Sequence, residues 1–206
     1  MTSNEFQQVI SLGPNCRARF HIDNLLGKYK AKRGVFDWQG TPSGAVIEYL
    51  RRDFQGLFER CDLVIEDRFV RNRRFGTSHR HAFPEGLAES LLDELYPLAR
   101  ARHDLFCKVT RGALRNGLST LFVLCKPIPP EHMEEIAELI EQVHPGRRFA
   151  ILPAPEGDHD DHSAGDSDRW AKHLSRFTLR PPLSVVAKCQ LRRFRRNLRN
   201  LKPRFV

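Results

Sequence analysis

One of the five cysteines in the chain, Cys16, stands in a setting that suits reaction. It closes the stretch QVISLGPNC, in which apolar residues suited to a strand run into Gly13 and Pro14, and a helix-like pattern begins directly after it. A thiol is a poor nucleophile until it loses its proton. The unpaired N–H groups and the positive dipole end at a helix N-terminus favour the thiolate. The same N–H groups can receive a developing oxyanion. Gly13 permits a tight turn and close approach by a substrate, and Asn15 can cap the helix or donate to an oxyanion. The plainer alternative is a half-buried, inert cysteine on a helix that starts there.

A cysteine nucleophile needs a base. TSHRHAF supplies His79 and His81, two residues apart, which share a face if the segment is extended. Either can serve as the base, and a pair of solvated loop histidines beside Arg80 is the alternative. His21 lies just over one helical turn beyond Cys16, on a different bearing, and is the weaker candidate. Asp37, between Phe36 and Trp38, can orient the base as the third group or bind backbone N–H groups in a turn.

The remaining candidates exclude more than they propose. Cys61, Cys107 and Cys125 have apolar neighbours and read as small core residues. An odd cysteine count with no Cys-x-x-Cys pair argues against a disulfide scaffold and against a cysteine-built zinc site. DHDDH (158–162) crowds Asp and His, but Gly, Ser and Asp surround it, so a solvated acidic loop is expected rather than a metal site. Asp158, Asp160, His162, Asp168 and Trp170 stay as outside candidates for a triad member. GALRNG lacks phosphate-loop spacing. Neither a metal nor a cofactor is expected.

Strands and helices must hold these residues in place. A strand is expected over 9–12 and a helix over 16–26, with VFDWQ short and extended. A long helix over 41–58 would take Thr41 as cap and Pro42 in its first turn, with Val46, Ile47, Leu50, Phe54, Leu57 and Phe58 on one face. DLVIEDRFV reads as one or two strands. Residues 87–114 are mostly helical, with Pro97 a kink or break. STLFVLCKP, PPEHMEEIAELIEQV and RFAILPAP form a strand–helix–strand unit, and RWAKHLSRFTL is partly a strand. The pattern predicts an α/β fold, a mostly parallel sheet flanked by helices, as one domain over 1–180. A basic amphipathic tail, a candidate helix, follows over 181–206.

The net charge of +9 belongs mainly to that tail: the last nineteen residues hold eight Lys or Arg and no acid. Its arginines surround Leu191, Phe194, Leu198 and Leu201, which suits an anionic membrane surface or a polyanion. Packing of the apolar stripe on the body is the alternative. No zinc-finger, RNA-recognition or helix-turn-helix pattern supports specific nucleic-acid binding. No run of apolar residues is long enough to span a bilayer, and MTSNEFQQ is not a signal peptide. A cytoplasmic location, with a membrane-peripheral variant through the tail, is the expectation.

Four segments in order, ISLGPNCRARFHIDNLL, GVFDW, VIEYLRRDFQGLF and HAF, resemble the bacterial papain-like cysteine peptidase family long carried as a domain of unknown function. Members open with a strand ending in Ser-Leu-Gly-x-Asn-Cys, then show Pro-Phe-Asp-Trp, a helix with an Asp-Phe pair (here Asp53 and Phe54) and a His-Asp-Phe-like segment. LFVLCKP also fits, so the resemblance spans roughly 9–155. It implies Cys16 as nucleophile, His81 as base and Asp37 as an orienting residue, acting on a peptide or acyl substrate. Val35 stands where the family has proline, and Ala82 where it has an acid. A nucleophile closing the first strand is also similar to hydrolase and acyltransferase sheets that place a serine there. Capsule-biosynthesis proteins with a Gly-Asn-Cys start, linked to acyl transfer, share the feature. A thiol acyltransferase of glycan biosynthesis and a non-catalytic binding module are therefore the alternatives.

Overall fold

Leu121, Phe122 and Val123 are buried on both faces of the strand that carries them, and that strand is the middle of the main sheet. A near-continuous apolar run is what a parallel strand covered on both sides requires. The computed structural model describes residues 4–27, 33–158 and 165–187. In chain order these form β1 (Glu5–Phe6), β2 (Gln8–Ser11), α1 (Arg17–His21), α2 (Ser43–Arg51), β3 (Leu63–Glu66), β4 (Phe69–Asn72), α3 (Glu89–Leu114), β5 (Thr120–Val123), α4 (Pro130–Val143), β6 (Phe149–Leu152), α5 (Ser167–Leu174) and β7 (Thr178–Leu179). The main sheet is parallel in the order β2-β5-β6, with Ser11 opposite Val123 and Val123 opposite Leu152. A two-residue parallel pair joins β1 to β7.

Successive side chains of a strand point to opposite faces, and the two cores divide accordingly. Ile10, Leu12, Phe122 and Leu124 pack with Val46, Ile47 and Leu50 of α2 and with Ile136 and Ile140 of α4. Val9, Leu121, Val123 and Cys125 pack with Ala18, Ile22, Trp170 and Leu174 on the other side. The fold is α/β, a parallel sheet with helices on both faces. A third apolar cluster joins the antiparallel β3–β4 hairpin to the first half of α3. Asp67 and Arg68 turn that hairpin with positive φ, as a two-residue primed turn demands. Among the described residues no helix is long and apolar enough to cross a membrane.

Several elements differ from expectation. The helix after Cys16 keeps α geometry only to His21 and continues as a π-helical turn, Ile22–Gly27. Val35–Asp37 is a 3-10 turn, not an extended piece. α2 stops at Arg51 because Asp53 and Phe54 take left-handed backbone angles, and the Phe54 amide reaches back to the Tyr49 carbonyl at 2.8 Å. Phe54, Leu57 and Phe58 are buried all the same, delivered by a loop at positions that mimic helical spacing. Pro97 does not break α3, whose buried residues Leu92, Ala99, His103, Cys107 and Leu114 recur along one continuous face. RWAKHL belongs to helix α5, with Trp170 and Leu174 buried one turn apart, and only Thr178–Leu179 is strand. Asp158, placed in a solvated loop by its neighbours, is buried. Cys61 is exposed and not a core residue. Of the tail, residues 181–187 are described and 183–187 are helical; its apolar stripe, Leu191, Phe194, Leu198 and Leu201, lies outside the described residues, as do Cys189, Asp160 and His162.

Candidate functional site

Strand pairing continues past β2 and carries the chain into the Cys16 turn. The Leu12 amide donates to the Val123 carbonyl at 2.9 Å, and the Cys125 amide donates to the Gly13 carbonyl at 2.8 Å. Gly13 has φ +86°, and a Cβ there would stand 3.3 Å from the Thr41 carbonyl oxygen, so the turn needs glycine for conformation and for clearance. Asn15 folds its side chain inward. Its Oδ1 accepts from the Arg17 amide at 2.9 Å and from the Cys125 thiol at 3.0 Å. Asn15 therefore caps the first turn of α1. With Oδ1 held by two donors, its Nδ2 hydrogens are what it retains for an oxyanion.

Cys16 is the N-cap residue of α1 and is exposed, whereas Cys107 and Cys125 are buried. The two arginines that follow it turn away into the body. Arg17 pairs with Asp158 at 3.1 Å, both side chains buried, and Arg19 pairs with Asp23 and lies 3.9 Å from Asp37. Asp158 also accepts from the Trp170 indole at 2.9 Å and from the Asp166 amide at 3.0 Å, and the Trp170 ring stacks on His21. His21, stacked beneath that indole and buried, is removed from Cys16 chemistry. Asp158 is a clamp between α1 and α5 rather than a partner of an imidazole. Its carboxyl is held below the usual range: burial opposes the charge, and the Asp166 amide, Trp170 and Arg17 outweigh it. Asp168 is exposed at the start of α5.

His79 and His81 do not share a face, because the chain turns between them: the Ala82 and Phe83 amides both bond to the His79 carbonyl. His79 is buried, its Nε2 sits 2.9 Å from Thr77 Oγ1, and the Phe58 ring meets it edge-on at 4.6 Å. Burial, with a smaller contribution from His103, pushes its pKa down to about 3, which makes it a poor base. His81 is exposed and meets the Trp38 ring edge-on at 5.6 Å.

The segment from Trp38 to Thr41 links the two loops. Gly40 and Ser78 exchange both backbone hydrogen bonds, at 2.8 and 2.9 Å, and the Thr41 amide donates to the Pro14 carbonyl at 2.7 Å. A Cβ on Gly40 would collide with Ser78 Oγ and lie 3.8 Å from the Pro14 carbonyl oxygen. The loops bearing Cys16 and His81 thus flank one glycine-bearing segment. Among the described residues the Cys16 sulfur has no hydrogen-bond partner, so no Cys16–His81 hydrogen bond is formed in this state.

Asp37 does not touch His81. Its Oδ2 accepts from the Gly34 amide at 2.7 Å, the turn-binding alternative, and its Oδ1 has no partner among the described residues. Burial raises its pKa to about 6, against the opposing pull of Arg19. The next residue, Trp38, is the one that lies against His81. Its place in GVFDW is visible in the sequence, but nothing in an apolar aromatic there signals an imidazole partner.

A Cys–His contact does exist elsewhere, between Cys107 and His103 at 3.6 Å. Burial pushes the Cys107 thiol up to about 12 and the His103 imidazole down to about 4, so both are neutral, the reverse of an activated pair. His103 belongs to a buried chain in which Gln39 donates to Tyr49 Oη at 2.9 Å and the Tyr49 hydroxyl meets His103 Nε2 at 2.7 Å. A cavity of about 30 Å³ beside it, lined by Trp38, His79, His81 and His103 among others, has room for a water or two. Among the described residues no group of three His, Cys, Asp or Glu is placed to hold a metal ion. No protein-family model, no curated protein and no solved structure matches this chain.

Proposed function

We propose that the protein is a cysteine-dependent hydrolase in which Cys16 attacks a peptide or acyl carbonyl and His81 manages the proton. One observation carries this reading: an exposed cysteine follows the end of a parallel strand, on a loop tied through Gly40 and Thr41 to the loop that bears an exposed histidine. Ligand chemistry in open parallel sheets concentrates at the carboxyl ends of the strands. His81 accepts the thiol proton as sulfur bonds to the carbonyl carbon. The oxyanion then meets the Cys16 amide, which has no acceptor among the described residues, and the Asn15 side-chain amide. The leaving group departs with the proton from His81, and the thioester passes its acyl group to water. An alcohol in place of water would make the protein an acyltransferase through the same intermediate. The sulfur–imidazole contact must close on substrate binding, a tightening that enzymes without substrate commonly await. Trp38 supplies the wall that orients His81, in the role first assigned to Asp37. A cytoplasmic location fits a thiol that has to stay reduced.

The missing Cys16–His81 hydrogen bond favours a second reading, a non-catalytic binding module. Iodoacetamide labelling read by mass spectrometry separates the two, with exposed Cys61 as internal reference. The enzyme reading expects Cys16 to label faster than Cys61 below the ordinary thiol pKa, and expects His81→Ala to abolish that excess. Equal rates at both cysteines, unchanged in His81→Ala, would leave the binding module.

A further inference from the structure

We infer that the groove between the loop at residues 54–58 and the basic face of α3 is a binding site for a small molecule carrying a phosphoryl or similarly charged oxyanion group. The inference does not depend on Cys16. The groove encloses about 400 Å³, within the range of small-molecule sites. Three of its charged side chains are cationic, Arg100, Lys108 and Arg111, and one, Asp104, is anionic.

These charges are not equally committed. Arg100 is spent: its Nε donates to both Asp104 oxygens at 3.0 Å, and its Nη1 donates to Glu59 at 3.0 Å and to the Phe58 carbonyl at 3.2 Å. That pairing also neutralises Asp104. Arg111 reaches Asp53 only at 3.4 Å, and Asp53 is held more closely by Arg115 at 2.9 Å. Lys108 is exposed and has no ion pair among the described residues. One ammonium and one loosely held guanidinium thus stand on the same helix face, three positions apart.

The opposite wall supplies neutral donors. The amides of Gly56, Leu57 and Phe58 have no acceptor among the described residues, although Leu57 and Phe58 are buried side chains. Unpaired amides at a buried stretch of chain are costly unless a ligand or water takes them. Their conformation is itself forced: Asp53, Phe54 and Gly56 all have positive φ, which a bulky residue such as Phe54 rarely adopts. A lining that combines unpaired backbone amides with cations offers the kinds of donor that a tetrahedral oxyanion takes.

Pyrophosphate is the probe, titrated into the full ¹⁵N-labelled chain, with inorganic phosphate and glycerol phosphate as further arms. Tighter binding of glycerol phosphate than of inorganic phosphate would mark an organic phosphate as the ligand, and the reverse order a free anion. In either case saturable binding should shift the amides of Gly56, Leu57 and Phe58. Lys108→Ala and Arg111→Gln should each weaken it about tenfold, the loss expected for one charge-assisted contact. Lys172→Ala, on α5, should leave it unchanged. Shifts confined to residues 188–206, or affinity unaltered in both Lys108→Ala and Arg111→Gln, would overturn the assignment.

Discussion

Cys125 donates its thiol hydrogen to Asn15 Oδ1 at 3.0 Å, so the residue before Cys16 is fastened from beneath by the end of the central strand. The same oxygen caps Arg17. The geometry of the exposed cysteine is therefore set by a buried one, 109 positions later in the chain.

Asn15→Ala should lose a helix cap and leave the Cys125 thiol without its acceptor, at a cost of about 1–2 kcal/mol. Cys125→Ala should cost a similar amount. The double variant should cost less than the two singles together, by about 0.5–1 kcal/mol, because both remove the same bond. Urea midpoints for the four proteins check this, and strict additivity would mean that the contact carries no energy.

Asp158→Ala should be the most damaging single change near the site. It strips the buried Arg17 guanidinium of its counter-charge and the Trp170 indole of its acceptor. Breaking a buried pair from one side costs about 3–5 kcal/mol. Arg17→Met added to Asp158→Asn leaves no lone charge and should recover most of the loss. Thermal unfolding of the single and double variants tells the two cases apart; a single-variant cost below about 1 kcal/mol would mean that the clamp is not structural.

Gly40→Ala should force apart the loops of Cys16 and His81. The new methyl meets Ser78 Oγ, and overpacking of this kind costs about 1–3 kcal/mol. Ser78→Ala in the same chain removes the clash and should return most of that stability. If it returns none, the clash with Ser78 Oγ is not the source of the loss.

Stability should fall as pH drops below about 6.5, the ordinary imidazole value. His79 and His103 have folded-state pKa values of about 3 and about 4, so the unfolded chain binds their protons first. Each removes stability as pH falls from its unfolded value towards its folded one. Asp37, raised to about 6, works the other way: the folded chain binds its proton first, which favours folding as pH falls. Two imidazoles against one carboxyl leave a net loss of stability on the order of 1 kcal/mol per pH unit as pH falls between about 6 and 4. His103→Gln should flatten that slope in urea titrations across the window, and an unchanged slope would exclude His103 as its source.

The order of elements was legible wherever one period dominated. The strand–helix–strand unit of β5, α4 and β6 follows from an apolar run, a 3.6-residue stripe and another apolar run, and each has the partner its pattern requires. Residues 52–58 were not legible as a loop, since Phe54, Leu57 and Phe58 keep helical spacing while left-handed angles at Asp53 and Phe54 end the helix. Spacing records which side chains are buried, not the path that buries them.

The site divides along the same line. Residue type and local order determined that Cys16 follows a strand, that Gly13 makes its turn and that Asn15 caps the helix after it, because those interactions run between near neighbours in the chain. Tertiary structure alone decided that His79 is sealed and His81 exposed, that Asp37 faces Arg19 while Trp38 faces His81, and that Arg17 spends its charge on Asp158. Burial and ion pairing depend on segments that lie well apart in the chain, from Arg19 and Asp37 to Arg17 and Asp158, and no local pattern encodes which of them will meet.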